Sequence, residues 1–166
     1  DHIAAMRQAL DTGGAATASA APPRETPLPP IAAAAEQPTG LAQRLRRGEF
    51  VISVEVDPPR GFSTHRLLAA AQVLAEAGAH TLNVADSPMA RMRMSPWAVC
   101  HLIQRDLGLE SVLHFPTRGR NLLRIQGDLL AAHALGVRDV FVVMGDPTAI
   151  GDYPEAMDDY DVAPSG

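Results

Sequence analysis

The chain has 166 residues, a formal net charge of -5 and 46% hydrophobic residues, enough for one soluble domain with a substantial core. The acidic balance, with no basic patch interleaved with aromatics, argues against a nucleic-acid surface, and a single cysteine excludes both an internal disulfide framework and a thiolate metal cluster. Nothing reads as a signal peptide or as a membrane span of roughly 20 apolar residues; a cytoplasmic protein with no membrane partner is expected.

Residues 1–10, DHIAAMRQAL, place Ile3, Met6 and Leu10 on one helical face and fit the end of an amphipathic helix too short to stand alone. Residues 11–39 are rich in Ala, Pro, Gly and Thr and carry little that could form a core, so they read as a semi-extended linker at a domain boundary. The chain opens at Asp1 and stops at Gly166, as expected of a piece of something longer. GLAQRLRRG (40–48) predicts a short helix whose Arg44, Arg46 and Arg47 form a solvated face.

From Glu49 onward the pattern repeats. Strand-like runs begin near Val51, Thr81, Ser111 and Val140, a spacing of 30, 30 and 29 residues, which is the length of one strand-plus-helix unit. Helical periodicity fills 64–77, 95–107 and 121–135. Ser63 and Ser95 are candidate N-caps, and Gly78 and Gly136 are placed to close helices. Regular βα alternation predicts a parallel sheet with right-handed crossovers, either an open doubly wound sheet or a closed barrel.

The ends of the strands favour the barrel. In FVISVEVDPPRG (50–61), Ile52, Val54 and Val56 form an apolar face suited to packing under helices. Val51, Ser53 and Glu55 run from apolar to ionisable, as at the mouth of a barrel interior. The later runs end on Asp86 (LNVADSP), His114 (SVLHFPT) and Asp146 (FVVMGDP), and parallel strands in register would gather these groups on one rim. Glu55 lies inside an apolar run, and burial there would push its carboxyl toward acid catalysis. Asp57 and Asp86 also fit helix N-caps, and His114 fits a core histidine. Gly145 would let a ligand approach the backbone closely. Cys100 reads as a small core residue, and Met89, Met92 and Met94 as a hydrophobic lid or plain packing. His65, His80, His101 and His133 have no metal-ligand spacing.

Four stretches, VISVEVDPPRG (51–61), LNVADSP (82–88), RNLLRIQGDLLAAHALGVRDV (120–140) and MGDPTAIGDYP (144–154), resemble the flavin-dependent methylenetetrahydrofolate reductases. The similarity is greatest to the reductase half of bifunctional bacterial proteins that carry a homocysteine S-methyltransferase domain first. The resemblance implies a (βα)8 TIM barrel with FAD across its C-terminal rim, of which 40–166 hold the first four units. It implies NAD(P)H as co-substrate, a folate substrate, a homo-oligomer at full length and zinc only in the upstream methyltransferase domain, whose last helix 1–10 is similar to. Its implied activity is reduction of 5,10-methylenetetrahydrofolate to 5-methyltetrahydrofolate, feeding methionine synthesis. By the same resemblance Glu55 is the general acid, Asp146 a second catalytic group that also meets the flavin, and His114, Thr117, Asp86 and Gly145 cofactor-binding residues. Met144 stands where many of the family carry Arg, and HFPTR (114–118) replaces the commoner H-L-T-C. A non-catalytic folate-binding or stabilising barrel module is the alternative, and a flavin-free methyl-transferring barrel a third.

Overall fold

The computed structural model describes residues 37–165. The expected helix at 1–10 and the linker up to residue 36 lie outside the described residues. Among the described residues no helix is long and apolar enough to cross a membrane.

Four parallel strands run in the order β1-β2-β3-β4, with a helix between each consecutive pair. A short helix α1 (Gly40–Arg46) precedes β1 (Ser53–Val56), α2 (His65–Glu76), β2 (Thr81–Val84), α3 (Pro96–Leu107), β3 (Ser111–Pro116), α4 (Leu122–Ala134) and β4 (Asp139–Val143). Single 3-10 turns at Pro88–Ala90 and Thr148–Ile150 follow β2 and β4. Among the described residues the four strands and three intervening helices expected from the 30-residue repeat are all present, each boundary falling within two residues of its sequence position, and β4 is followed by a 3-10 turn.

One face of the sheet is dry. Leu82, Val84, Leu113 and Phe115 on β2 and β3 are almost wholly buried against Val99, Cys100 and Ile103 of α3, with Ala71 from α2 and Ala132 from α4 in the same cluster. The apolar positions of α3 recur at spacings of three and four, which lays one stripe of the helix on the sheet. Val54 and Val56 of β1 pack on this core as their period-2 position requires. Ile52, expected on the same face, lies just before the strand and is exposed. There the backbone pairing passes through a side chain: the Ile52 N–H donates to His80 Nδ1 at 3.0 Å, and the His80 N–H to the Ile52 carbonyl.

Helix ends follow the expected chemistry in part. The Asn121 side chain accepts the Arg124 N–H at the start of α4, and Thr39 accepts the Ala42 N–H at the start of α1. Ser95 occupies the N-cap of α3 without a side-chain cap bond, and Thr64 rather than Ser63 precedes α2. Gly78 and Gly136 take positive φ just beyond their helices.

The other face of the sheet is concave and open, because four strands do not close on themselves. At its edge, Val140 and Val142 on the helix side of β4 and Phe141 on the concave side are all exposed. Beneath the sheet α1 is held by charge: both Glu110 carboxylate oxygens accept from the Gly40 and Leu41 N–H groups, and the Thr39 hydroxyl donates to Asp139.

Candidate functional site

The sheet register decides which predicted groups meet. Glu55 pairs with Asn83, and Asn83 with Val112, so these side chains share the concave face in one row. His114 stands two residues further along β3 and pairs with Phe141 on β4, about 7 Å nearer the mouth. Glu55, Asn83, His114 and Phe141 line a single hollow of about 430 Å3 on the concave face. The His114 and Phe141 rings meet edge to face at 5.3 Å, and Asn83 donates to the Ser53 hydroxyl at 2.8 Å, fixing the floor beside Glu55.

Glu55 therefore points inward as its period-2 position predicts, but it is exposed. The desolvation expected for it is missing because the walls that would exclude water are not supplied by four strands. What the concave face provides is placement: a carboxyl on β1 and an imidazole on β3, one strand apart on a rigid sheet, both opening toward the C-terminal rim.

Three of the remaining predicted residues, Asp86, Gly145 and Asp146, gather in a second cavity, a cleft of about 410 Å3 at the C-terminal ends of β2, β3 and β4, which they line together with Arg118 and Arg120. Asp86 caps no helix. Its carboxylate accepts from Arg120 Nη2 at 2.8 Å and from the Ser87 hydroxyl. Arg120 also donates to Asp128 and to the Pro116 carbonyl, and its guanidinium lies over the Trp97 ring at 5.2 Å and the Phe115 ring at 5.3 Å. Trp97 in turn donates to the Asp128 carbonyl. Asp57, the other possible cap, faces Arg93 instead.

Gly145 is glycine for a reason other than ligand approach. Its φ is +91°, and a Cβ there would sit 3.0 Å from that of Pro116 and 3.3 Å from that of Arg118, so the space it leaves is filled by the β3 end. Arg118 bridges the same turn, donating to the Gly145 and Asp158 carbonyls. Thr117, the last predicted cofactor residue, is 4% exposed, and its hydroxyl is buried without a partner. It is not among the residues that line the cleft; it follows Leu113 and Phe115 in period-2 position, on the helix side of β3.

Asp146 accepts the Met89 N–H at 2.6 Å, so it ties the loop after β2 to the loop after β4. That loop is strained: Ser87, Met89 and Ala90 all take positive φ, at 45°, 59° and 51°. Each such non-glycine residue costs on the order of 1–3 kcal/mol and persists only where its surroundings hold it. The sequence carries no warning of it, since no glycine marks the turn. Asp152 also escaped the sequence reading; its carboxylate accepts from Arg60 after β1 and from the Met92 N–H, and these donors hold it below the ordinary aspartate range, the Met92 bond contributing most. The methionines divide, Met89 and Met92 exposed on this loop and Met94 packed against the core. Cys100 is wholly buried, and burial pushes its thiol up to about 12, so it is an inert core residue.

The chain matches one family description across nearly all of this structure: residues 40–164 fit the family model of methylenetetrahydrofolate reductase. No curated protein matches the chain.

Proposed function

Since the chain belongs to the methylenetetrahydrofolate reductase family and carries four parallel strands of its TIM barrel, we propose that it forms the FAD-binding, proton-donating half of an NAD(P)H-dependent reductase. The reaction is reduction of 5,10-methylenetetrahydrofolate to 5-methyltetrahydrofolate. The single observation that carries this reading is the shared hollow of Glu55 and His114 opening toward the same end of the sheet as Asp86 and Asp146.

The residues at the strand ends suit a flavin. The polar cleft lined by Arg118 and Arg120 offers hydrogen bonds to an acceptor-rich ring, and His114 offers an imidazole from the concave face. These groups, with Asp86 and the Gly145–Asp146 turn, would hold the cofactor, whose chemistry when bound is to take electrons from the nicotinamide and return them as a hydride.

The chain's own residues supply the rest. Opening the five-membered ring of the folate breaks a carbon–nitrogen bond, leaving an amine nitrogen that needs a proton and an iminium carbon that needs a hydride. Glu55 holds that proton on its carboxyl and passes it to the nitrogen. Asp146, with one oxygen on the Met89 N–H, keeps a second for a ring amine of the pterin. In a closed barrel, water would be excluded from Glu55 by the remaining walls.

Fusion to a homocysteine S-methyltransferase places the product beside its consumer and gives 11–39 the role of a linker between two enzymes. The spectrum of the full-length protein tests the reading. A yellow protein bleached by NADH or NADPH and recoloured by methylenetetrahydrofolate is expected; a colourless protein that oxidises no nicotinamide overturns it.

A further inference from the structure

The loop between β2 and α3 combines two features that the reductase reading does not use. Three of its residues sit in the left-handed region without being glycine, and Ala90, Arg91 and Met92 form one wall of the rim cleft. A strained segment stays in place only where other groups hold it, and here the holding groups come from the loop after β4. The Asp152 N–H donates to the Ala90 carbonyl at 3.1 Å, the Asp152 carboxylate accepts the Met92 N–H at 2.9 Å, and Asp146 accepts the Met89 N–H. Gly151 closes the contact: a Cβ there would lie 2.0 Å from the Ala90 carbonyl oxygen and 2.5 Å from its Cβ.

We propose that 87–92 is a flap over the rim cleft, and that Gly151 and Asp152 are the clasp that holds it shut. The Arg60 guanidinium, at 2.6 Å from the Asp152 carboxylate, orients the clasp from the loop after β1, so three strand-end loops meet at one carboxylate. Releasing the clasp lets Ser87, Met89 and Ala90 return to ordinary backbone conformations, and Ala90, Arg91 and Met92 leave the cleft wall together. The strain thus favours opening and the clasp opposes it, which makes the wall a gate for whatever occupies the cleft. Gly151 and Asp152 are positioning residues in this account, because they act on the cleft through the flap.

Arg91 supplies the readout, since it is an exposed trypsin site on the flap. In the full chain under native conditions, Gly151→Ala should speed cleavage after Arg91 on the order of tenfold, the worth of one or two lost hydrogen bonds. Asp152→Ala should do the same by a different route. Ala90→Gly, which accepts the positive φ without penalty, should slow cleavage several-fold. Cleavage after Arg105, inside α3, should not change. Rates after Arg91 within twofold of the parent protein in the clasp variants would overturn the proposal, as would an equal rise at Arg105, which reports global unfolding. If Gly151→Ala does not fold, Asp152→Ala and Ala90→Gly still decide it. Neither flavin nor folate enters the readout, so its failure and that of the reductase reading are separate results.

Discussion

Arg120 lies 2.8 Å from the Asp86 carboxylate and holds it from the far side of the rim, 34 residues along the chain. The same guanidinium serves Asp128 and the Pro116 carbonyl while its faces rest on Trp97 and Phe115. Asp86 therefore enters the cleft as a fixed, charge-paired group, oriented toward any ligand by a residue that does not have to touch it.

Arg120→Ala leaves Asp86, at 11% side-chain exposure, without its cation, while Asp128 keeps Arg124 at 2.7 Å, and should cost about 3 kcal/mol. Arg120→Lys keeps the charge but cannot fork to three acceptors and stack at once, so it should recover less than half of that loss. Urea unfolding of both variants measures this. An Arg120→Ala protein within about 0.5 kcal/mol of the parent would mean the network contributes nothing measurable.

The base of the sheet predicts a pH effect. Burial raises the Asp139 carboxyl above its usual value, the Thr39 hydroxyl opposes this, and the nearby Glu110 charge adds to it. A carboxyl raised in the folded state is a liability once ionised. The cost is present at neutral pH, fades as pH falls through the raised folded value, and is absent below the ordinary aspartate value, where both states are protonated. Asp139→Asn keeps an acceptor for Thr39 and should stabilise at pH 7 by less than about 1 kcal/mol, given the partial exposure of the site. The gain should vanish near pH 3. A variant equally stabilised at both pH values would show that the charge is not the cause.

Among the described residues both outer strands have one neighbour each, and β4 exposes Val140, Phe141 and Val142 on its two faces. An unprotected apolar edge is a template for pairing with another chain. This chain by itself should self-associate with rising concentration in sedimentation runs, and Val142→Lys should weaken that association at least severalfold. A monodisperse monomer at high concentration would contradict it.

Much of this architecture was legible in the sequence because it rests on periodicity. The 30-residue repeat located every strand, and the period-2 reading of 50–56 placed Glu55 on the concave face and Val54 and Val56 under the helices. What was not legible depends on contacts made across the chain. Nothing local to Arg120 says that it will meet Asp86, and nothing near Asp152 says that three loops will converge on it. The left-handed residues at 87, 89 and 90 were invisible for a different reason. Sequence reading finds positive φ through glycine, and here the glycine that permits the geometry is Gly151, on another loop.

The most direct test of the central claim is Glu55→Gln in the full-length protein, followed by rapid-mixing absorbance of the two half-reactions. The variant should be bleached by reduced nicotinamide at close to the parent rate, and its reoxidation by methylenetetrahydrofolate should slow by 100-fold or more, the usual span of a lost general acid being about 10²–10⁴. Reoxidation at the parent rate would show that Glu55 does not deliver the proton, and would contradict the account.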